Sequence, residues 1–306
     1  MSSITAFALL VVGVALVIVG AEAFFDGLLA LAARLALPAF VVTAVISGFE
    51  LENLVAGIAV NVEDLPGAAA GTFLGGTTFL AAGVAGLGAL VAPMRTELPW
   101  PALAWTAAAP VPAFLFALDG MVSRLDGGLL VLWFVIALTG LARSGRSLLV
   151  AEPAMRHRRP LLLLAAGLGV LTLGGELLGE GLRKAVSHSG VSATLLGNTA
   201  VAASVEAEEL ARVVLPAKRG RADVALANVL GTVVHFIAFN AGVIALVRPL
   251  PIDAATRNVH LPAALGSTAA LCALLATRGG LGRPEGALLL AFYAVYVALA
   301  VTGPGA

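Results

Sequence analysis

Two acidic segments of this sequence carry side chains that can bind cations. The first runs from Ser47 to Leu54 and reads SGFELENL, and the second runs from Ala203 to Leu210 and reads ASVEAEEL. Both interrupt long apolar stretches that have the composition of membrane spans. A carboxylate inside a bilayer is costly unless it is paired, hydrated or bound to a cation, so it indicates a functional site. The segments lie about 156 positions apart, which indicates a duplicated cation pathway.

The two segments supply six candidate ligands for a metal cation, namely Glu50, Glu52, Asn53, Glu206, Glu208 and Glu209. In each segment the outer two ligands are three positions apart and would share a helix face, whereas the middle acid would lie on another face of an unbroken helix. Gly48 and Ser204 precede the acids and favour a local break, which exposes backbone carbonyls as further ligands. Ca²⁺ is bound by about six to eight oxygens, and carboxylates, amides and carbonyls can provide such a set.

The crowding of these acids favours exchange chemistry. Like-charged carboxylates that lie close together cannot all stay ionised, so some hold protons when no cation is bound. Protons or Na⁺ would then compete with Ca²⁺ for the same oxygens. Two other interpretations stay open: Glu52 and Glu208 could lie solvated near the end of a span, and the remaining glutamates could make structural hydrogen bonds between helices.

The composition predicts an all-α membrane protein. Of the 306 residues, 60% are hydrophobic and 12% are charged, and the mean hydropathy is +1.01. Basic and acidic residues number 18 each with no basic domain, so a nucleic-acid partner is not expected. The expected partners are cations and the lipid bilayer, and no protein partner is indicated. The four histidines show no HExxH spacing, so we expect neither an enzyme nor a cofactor.

Long apolar stretches separated by short polar breaks predict about ten transmembrane helices, each near the roughly 20 residues that a bilayer requires. The loop 143–159 divides them into a first half, 1–142, and a second half, 160–306, with five spans each. We expect the first span to be permanent, because residues 1–5 carry no positive side chain of the kind that begins a signal peptide. The predicted spans are 4–33, 38–62, 66–92, 99–118, 126–142, 160–188, 192–216, 222–247, 260–277 and 284–302.

The two halves resemble each other, which predicts inverted repeats. In the first half, Glu22 is followed four positions later by the triplet DGL, and in the second half Glu176 is followed at the same distance by EGL. Each half then runs through an apolar stretch into its acidic segment. Because each half has an odd number of spans, the halves would lie in the membrane with opposite orientations. Many secondary transporters are built in this way, with the binding site near the midplane.

The basic residues predict the orientation. With the N-terminus outside, the inward loops carry twelve lysines and arginines, whereas the outward loops carry only Arg124, Arg183, Lys184, Arg248 and Arg257. The positive-inside rule then places both termini outside and the loop 143–159 in the cytoplasm. We expect the membrane to be the plasma (inner) membrane.

Taken together, these blocks resemble the calcium/cation antiporter superfamily, which includes the sodium/calcium exchangers. That family carries two inverted α-repeats, each with a block of the type GTSLPEL, then KGxxDIA and GNVxGSN. Here the second repeat contains SVEAEEL at 204–210, RGRADVA at 219–225 and ANVLGT at 227–232. The first repeat contains GFELENL at 48–54 and GTFLGGT at 71–77 with matching spacing. The resemblance covers almost the whole chain and is that of a divergent member.

The resemblance implies a secondary active cation antiporter that exchanges Ca²⁺ for Na⁺ or H⁺ by alternating access. The family's glutamate falls on Glu209 in the second repeat but on Asn53 in the first. The motif's serine and proline are both replaced by glutamate in each repeat. The hydroxyls of Thr77 and Thr232, in or beside the last block, are further candidate ligands. Such exchangers move Ca²⁺ against Na⁺, K⁺ or H⁺, and the altered ligand set leaves the choice of ions open.

Two other functions stay open. One is a proton- or sodium-coupled carrier of another cation or a small solute, although an organic solute requires an aromatic or basic pocket. Apart from Arg212, no interior lysine or arginine accompanies the acidic segments. The other is a transport-inactive structural membrane protein, which would leave the duplicated carboxylates unexplained.

Three further residues are given roles from their positions. His235, on the eighth predicted span, is expected to hydrogen-bond between helices or to take part in proton coupling. Gly71 and Gly75 are expected to pack closely against a neighbouring helix.

Overall fold

The computed structural model describes residues 2–148, 159–186 and 207–302. Over these ranges the chain is helical apart from short connections and two-residue strands. Seven of the described helices are long and apolar enough to cross a membrane, in agreement with an all-α membrane protein. Large apolar side chains such as Phe7, Leu125, Leu161 and Val301 are exposed on these helices, as expected for surfaces that face lipid.

The helices run in the order that the apolar stretches predict. In the first half they are α1 (Ser2–Leu35), α2 (Ala39–Ile46), α3 (Leu51–Val62), α4 (Pro66–Val91), α5 (Trp100–Phe116) and α6 (Arg124–Gly145). In the second half they are α7 (Pro160–Val186), α8 (described over 207–218), α9 (Ala222–Val247), α10 (Thr256–Arg278) and α11 (Arg283–Thr302). Three of them contain a π-helical turn, at Phe79–Val84 in α4, His235–Asn240 in α9 and Thr256–His260 in α10.

Two of the ten predicted spans differ from a single long helix. The span predicted at 38–62 is divided into α2 and α3, and the span predicted at 99–118 is the shorter α5, interrupted before Pro110. Most of the span predicted at 192–216 lies outside the described residues, which begin again at 207. The number of ten spans therefore stays a prediction.

The break between α2 and α3 was predicted from Gly48 and is confirmed. Helix α2 ends at Ile46, and Glu50 has an extended backbone with φ −94° and ψ 90° just before α3 begins. A Cβ atom on Gly48 would lie 2.2 Å from Nδ1 of His235, so only glycine lets α9 approach the break this closely. The break thus turns an acidic side chain toward the centre of the protein.

Helix α9 forms the centre of the described fold. Every residue from Ala222 to Val234 is buried. Helix α2 crosses α9 at Gly231, where an added Cβ would lie 2.4 Å from the carbonyl oxygen of Ala44. The later part of α9 packs against α6, and the later part of α4 packs against α11.

Helices α1 and α7 pack against each other along most of their length. Their contact is lined by glycines spaced seven residues apart, at Gly13, Gly20, Gly27, Gly167, Gly174 and Gly181. An added Cβ at Gly20 would lie 2.4 Å from the backbone nitrogen of Leu171, so the two backbones are in direct contact. By contrast, an added Cβ at Gly71 meets no described atom within 4 Å, and one at Gly75 meets only the Tyr296 hydroxyl at 3.6 Å. Within the described part of the chain, the close packing predicted at these two glycines is absent.

Two short antiparallel ladders join the halves. Strand β1 (Met94–Arg95) pairs with β4 (Gly280–Leu281), and β2 (Met121–Val122) pairs with β3 (Leu250–Pro251). Each ladder joins a loop of the first half to a loop of the second half. The π-helical turns of α4 and α9 begin 156 positions apart, which is the spacing of the two acidic segments.

Candidate functional site

Glu50 enters the site from the break between α2 and α3. Its residue is 7% exposed, and its Oε2 accepts a hydrogen bond of 2.8 Å from Nδ2 of Asn53 on the first turn of α3. The predicted pairing of these two side chains across three positions is therefore present. Its other oxygen, Oε1, accepts a hydrogen bond of 3.2 Å from Nη1 of Arg212 on α8.

Glu209 reaches the same guanidinium from the second half of the chain. Its Oε1 lies 2.6 Å from Nη1 of Arg212, one helical turn further along α8. Its Oε2 accepts a hydrogen bond of 3.2 Å from Nδ2 of Asn228 on α9. The side chains of Glu209 and Arg212 are 4% and 3% exposed, so this ion pair is screened from water. Carboxylates from both halves of the chain thus meet at one buried cation, the guanidinium.

The two acids at the positions of the motif proline form the outer part of the cluster. Glu208 is buried, and its Oε2 lies 3.6 Å from Nη2 of Arg212. Glu52 is exposed, which fits the interpretation that it lies solvated. The hydroxyl of Thr172 on α7 lies 3.4 Å from a carboxylate oxygen of each, so it bridges the two acids.

A cavity of about 120 Å³ borders this cluster. Its lining includes Glu50, Glu52 and Arg212 as well as the rings of Phe24 and Phe49. The Arg212 guanidinium also lies over the Phe24 ring, 5.5 Å from its centroid, in a cation–π contact with α1. The polar cluster therefore has an adjoining space with one aromatic wall from α1 and one from the break between α2 and α3.

The remaining predicted ligands are placed differently. Glu206 lies outside the described residues. The Thr77 hydroxyl donates to the carbonyl of Phe73 one turn earlier on its own helix, at 2.7 Å, and has no hydrogen bond to the carboxylates that the structure describes. The Thr232 hydroxyl is fully buried and has no hydrogen-bond partner within the described ranges. On the same helix, Oδ1 of Asn228 also lacks a partner there.

His235 is hydrogen-bonded to its own helix and lies against the break between α2 and α3. Its Nδ1 lies 2.8 Å from the carbonyl oxygen of Gly231, one turn earlier on α9. Its ring makes edge contacts with Phe49 and Phe134, with centroids 4.6 and 4.7 Å apart. The rings of Phe49 and Phe134 thus cover the imidazole, and a hydrogen bond between helices or a part in proton coupling stays a prediction.

The described arrangement is closed around its internal cation. Over 2–148, 159–186 and 207–302, no three acidic, histidine or cysteine side chains are grouped so as to hold a metal ion. The guanidinium and two amides donate to the oxygens of Glu50 and Glu209. Chemically, the cluster stabilises positive charge in a buried place, and a second cation on these oxygens would be repelled by the adjacent guanidinium.

Sequence reasoning missed Arg212 as the centre of the site, as well as Thr172 and Asn228. A signal for Arg212 was present, since it follows Glu208 by four positions and Glu209 by three, the spacings of ion pairs on a helix. No signal of this kind pointed to Thr172, which lies on a different helix.

The chain matches the family model described as sodium/calcium exchanger protein over residues 5–142 and 159–302. It belongs to this family. As a sodium/calcium exchanger family protein, the chain is an integral membrane transporter with several apolar helices. The resemblance inferred from the acidic blocks is confirmed.

Individual relatives agree with this assignment. The chain is 28% identical over 270 residues to the inner membrane protein YrbG of Escherichia coli (strain K12), covering 81% of this chain and 82% of that protein. It is 28% identical over 197 residues to the putative antiporter CaxA of Alkalimonas amylolytica, covering 60% of this chain and 62% of that protein.

A solved structure shows the same fold. The sodium-calcium exchanger NCX_Mj soaked with zero Na⁺ and Ca²⁺ superposes with a TM-score of 0.84 at 26% sequence identity, covering 96% of this chain and 98% of that one. The same exchanger soaked with 2.5 mM Na⁺ and 10 mM Sr²⁺ gives a TM-score of 0.82 at 25% identity. The chain therefore keeps the exchanger fold over nearly its full length.

Proposed function

We propose that this exchanger family member is a secondary active cation antiporter that exchanges Ca²⁺ for Na⁺ or H⁺ by alternating access through a carboxylate site near the midplane of the membrane. One observation carries the proposal: Glu50 of the first half and Glu209 of the second half are both buried and both hydrogen-bonded to the same guanidinium. A single transport site between two repeats requires such a convergence. The antiporter named among the relatives supports cation exchange.

The proposed ligands come from both halves. The principal set consists of Glu50, Asn53, Glu206 and Glu209, with Glu52 and Glu208 as flanking acids and Thr77 and Thr232 as hydroxyl ligands. The buried Thr232 hydroxyl, unpartnered within the described ranges, supports a ligand role. The Thr77 hydroxyl already donates its proton, so only its lone pairs would be available to a cation.

The proposed frame is a pair of inverted five-helix repeats, 1–142 and 160–306, joined by a cytoplasmic loop at 143–159. Both termini lie outside in this proposal, and the membrane is the plasma (inner) membrane. Two features support the repeat: the reciprocal pairing of loops by β1 with β4 and β2 with β3, and the matching spacing of the π-helical turns in α4 and α9.

A carrier of an organic solute is less well supported. The cavity beside the cluster measures about 120 Å³, below the roughly 300–1,000 Å³ of small-molecule sites. Its one basic side chain, Arg212, is already within 3.6 Å of three carboxylates and cannot also bind an anionic solute without losing them.

The test is Ca²⁺ flux into proteoliposomes that contain the purified chain. An outward Na⁺ gradient and an outward H⁺ gradient are imposed in separate experiments, and Glu209→Gln serves as the site variant. The proposal predicts Ca²⁺ uptake driven by at least one gradient and lost in the variant. If neither gradient drives uptake of Ca²⁺, exchange of Ca²⁺ is refuted.

A further inference from the structure

The oxygens of the two central carboxylates are all engaged. Glu50 accepts from Asn53 at Oε2 and from Arg212 at Oε1, and Glu209 accepts from Arg212 at Oε1 and from Asn228 at Oε2. Each of these oxygens keeps a second lone pair, but a metal cation bound there would lie directly beside the guanidinium, and two positive charges so close together in a buried place repel strongly. Arg212 and a transported cation are therefore mutually exclusive on these oxygens.

The Arg212 guanidinium occupies a buried position among carboxylates, where a transported cation would bind. Its side chain is 3% exposed, it lies within 3.6 Å of carboxylates from the two halves of the chain, and Phe24 covers one of its faces. Its charge offsets part of the charge of the three surrounding glutamates. Without it, Glu50 and Glu209 would be buried carboxylates with only amide partners, which is strongly unfavourable unless another cation replaces the guanidinium.

The structure also offers the guanidinium a second position. Glu208 is already 3.6 Å from Nη2, and Glu52 is joined to Glu208 through the Thr172 hydroxyl. Both acids stand where the family motif has proline, and Glu52 lines the cavity that Arg212 also lines. A shift of the guanidinium toward this outer pair would keep it paired while it releases the oxygens of Glu50 and Glu209.

We propose that Arg212 is the specificity-determining residue of the site: its guanidinium takes the place of one transported cation, and a cation loads only when the guanidinium moves from Glu50 and Glu209 toward Glu208 and Glu52. This inference rests on the proposed antiport function and adds the internal competitor to it. Because one positive charge stays attached to the chain, the site carries at least one cation charge less per cycle than the same carboxylates would carry alone. In this proposal Glu52 and Glu208, at the proline positions, bind the Arg212 guanidinium while a cation occupies Glu50 and Glu209.

Binding is tested on the purified full chain in detergent. The unfolding temperature is measured against CaCl₂ and, separately, NaCl, with choline chloride holding the ionic strength constant. Arg212→Gln is expected to lower the half-saturating concentration of Ca²⁺ or Na⁺ by about tenfold or more, since a unit charge next to the ligands is removed. The double variant Arg212→Gln with Glu209→Gln is expected to bind Ca²⁺ or Na⁺ no more tightly than the parent, because a carboxylate that would bind the cation is also gone.

Two further variants control the experiment. Arg146→Gln, on the exposed end of α6, removes an arginine away from the site and is expected to bind cations as the parent chain does. Arg212→Lys keeps the charge but loses the planar fork that reaches two carboxylates, so it is expected to bind cations more tightly than the parent and less tightly than Arg212→Gln. If Arg212→Gln unfolds at every cation concentration, the half-saturating concentrations of Arg212→Lys and of the parent are compared instead. Tighter binding by Arg212→Lys then supports the proposal, and equal or weaker binding overturns it.

The outcomes separate this inference from the proposed function. If the parent chain exchanges Ca²⁺ and the Arg212 variants bind cations no more tightly than it does, the inference is overturned while antiport stands. If the parent shows no exchange but Arg212→Gln binds Ca²⁺ or Na⁺, antiport by the parent fails and the competition by the guanidinium is supported. If no variant binds either ion, both are refuted.

Discussion

Glu209 and Arg212 should have a large coupling energy, and replacing Arg212 should lower the unfolding free energy more than replacing Glu209. The perturbation is a double-mutant cycle with Glu209→Gln, Arg212→Gln and the combination. The pair lies at 2.6 Å between Oε1 and Nη1, with side chains that are 4% and 3% exposed. With the charge centres about 4 Å apart and an effective dielectric constant of about 20, the attraction is about 4 kcal/mol. Loss of one partner of a buried pair costs about 3–5 kcal/mol.

The surroundings decide how this cost is divided. In Glu209→Gln the guanidinium keeps Glu50 and Glu208, so we expect a loss of about 1.5–3 kcal/mol in unfolding free energy, the range of hydrogen bonds to charged groups. In Arg212→Gln three carboxylates lose their cation, so we expect the larger loss of about 3–5 kcal/mol. The double variant should lose less than the sum, with a coupling energy of about 1.5 kcal/mol or more.

The assay is unfolding in mixed micelles by SDS titration, followed by circular dichroism, in choline buffer without Na⁺ or Ca²⁺. Glu63→Gln, on an exposed glutamate beyond the end of α3, is the matched control and should change the free energy by less than about 0.5 kcal/mol. Equal losses for the two single variants, or losses that add in the double variant, would refute the view that Arg212 is the shared counter-ion of several carboxylates.

Three other predictions follow from the packing. Gly20→Val should lower the unfolding free energy by about 1–3 kcal/mol or more, because an added Cβ meets the α7 backbone at 2.4 Å, whereas Gly169→Val, with no described atom within 4 Å of its Cβ, should be close to neutral in the same titration. Arg219→Gln should cost less than about 1 kcal/mol by that assay, since its ion pairs with two α1 carboxylates are more than a third exposed at the arginine; a larger cost would contradict surface screening. His235→Leu should lower the unfolding temperature through lost contacts with Phe49 but leave the pH dependence of flux unchanged, and a shifted pH profile would show that the imidazole takes part in coupling.

Much of the fold could be predicted from the sequence because membrane spans have a strong signal. Apolar length alone indicated the helices, and Gly48 beside Glu50 indicated the break that separates α2 from α3. The contact of α1 with α7 was not predicted. Glycines at seven-residue intervals are present in both segments, but glycine is frequent throughout this chain, so the pattern does not reveal its partner.

The candidate site was predicted in part. Glu50 pairs with Asn53 three positions later, and the similarity of the two halves indicated that the acidic segment with Glu209 would meet the one with Glu50. The role of Arg212 depends on Glu50, which lies 162 positions away and reaches it only through the break before α3. Likewise, Thr172 bridges Glu52 and Glu208 from a third helix. Such contacts depend on how helices from the two halves pack, which local spacing does not determine.

The central claim is that one carboxylate from each half forms a single site for cation exchange. The most direct measurement is gradient-driven ⁴⁵Ca²⁺ uptake into proteoliposomes by Glu50→Gln and Glu209→Gln, compared with Glu63→Gln and the parent chain at equal amounts of folded protein. The account predicts uptake by the parent and by Glu63→Gln, and loss of uptake in both site variants. Uptake that survives in either site variant would contradict a site shared by the two halves.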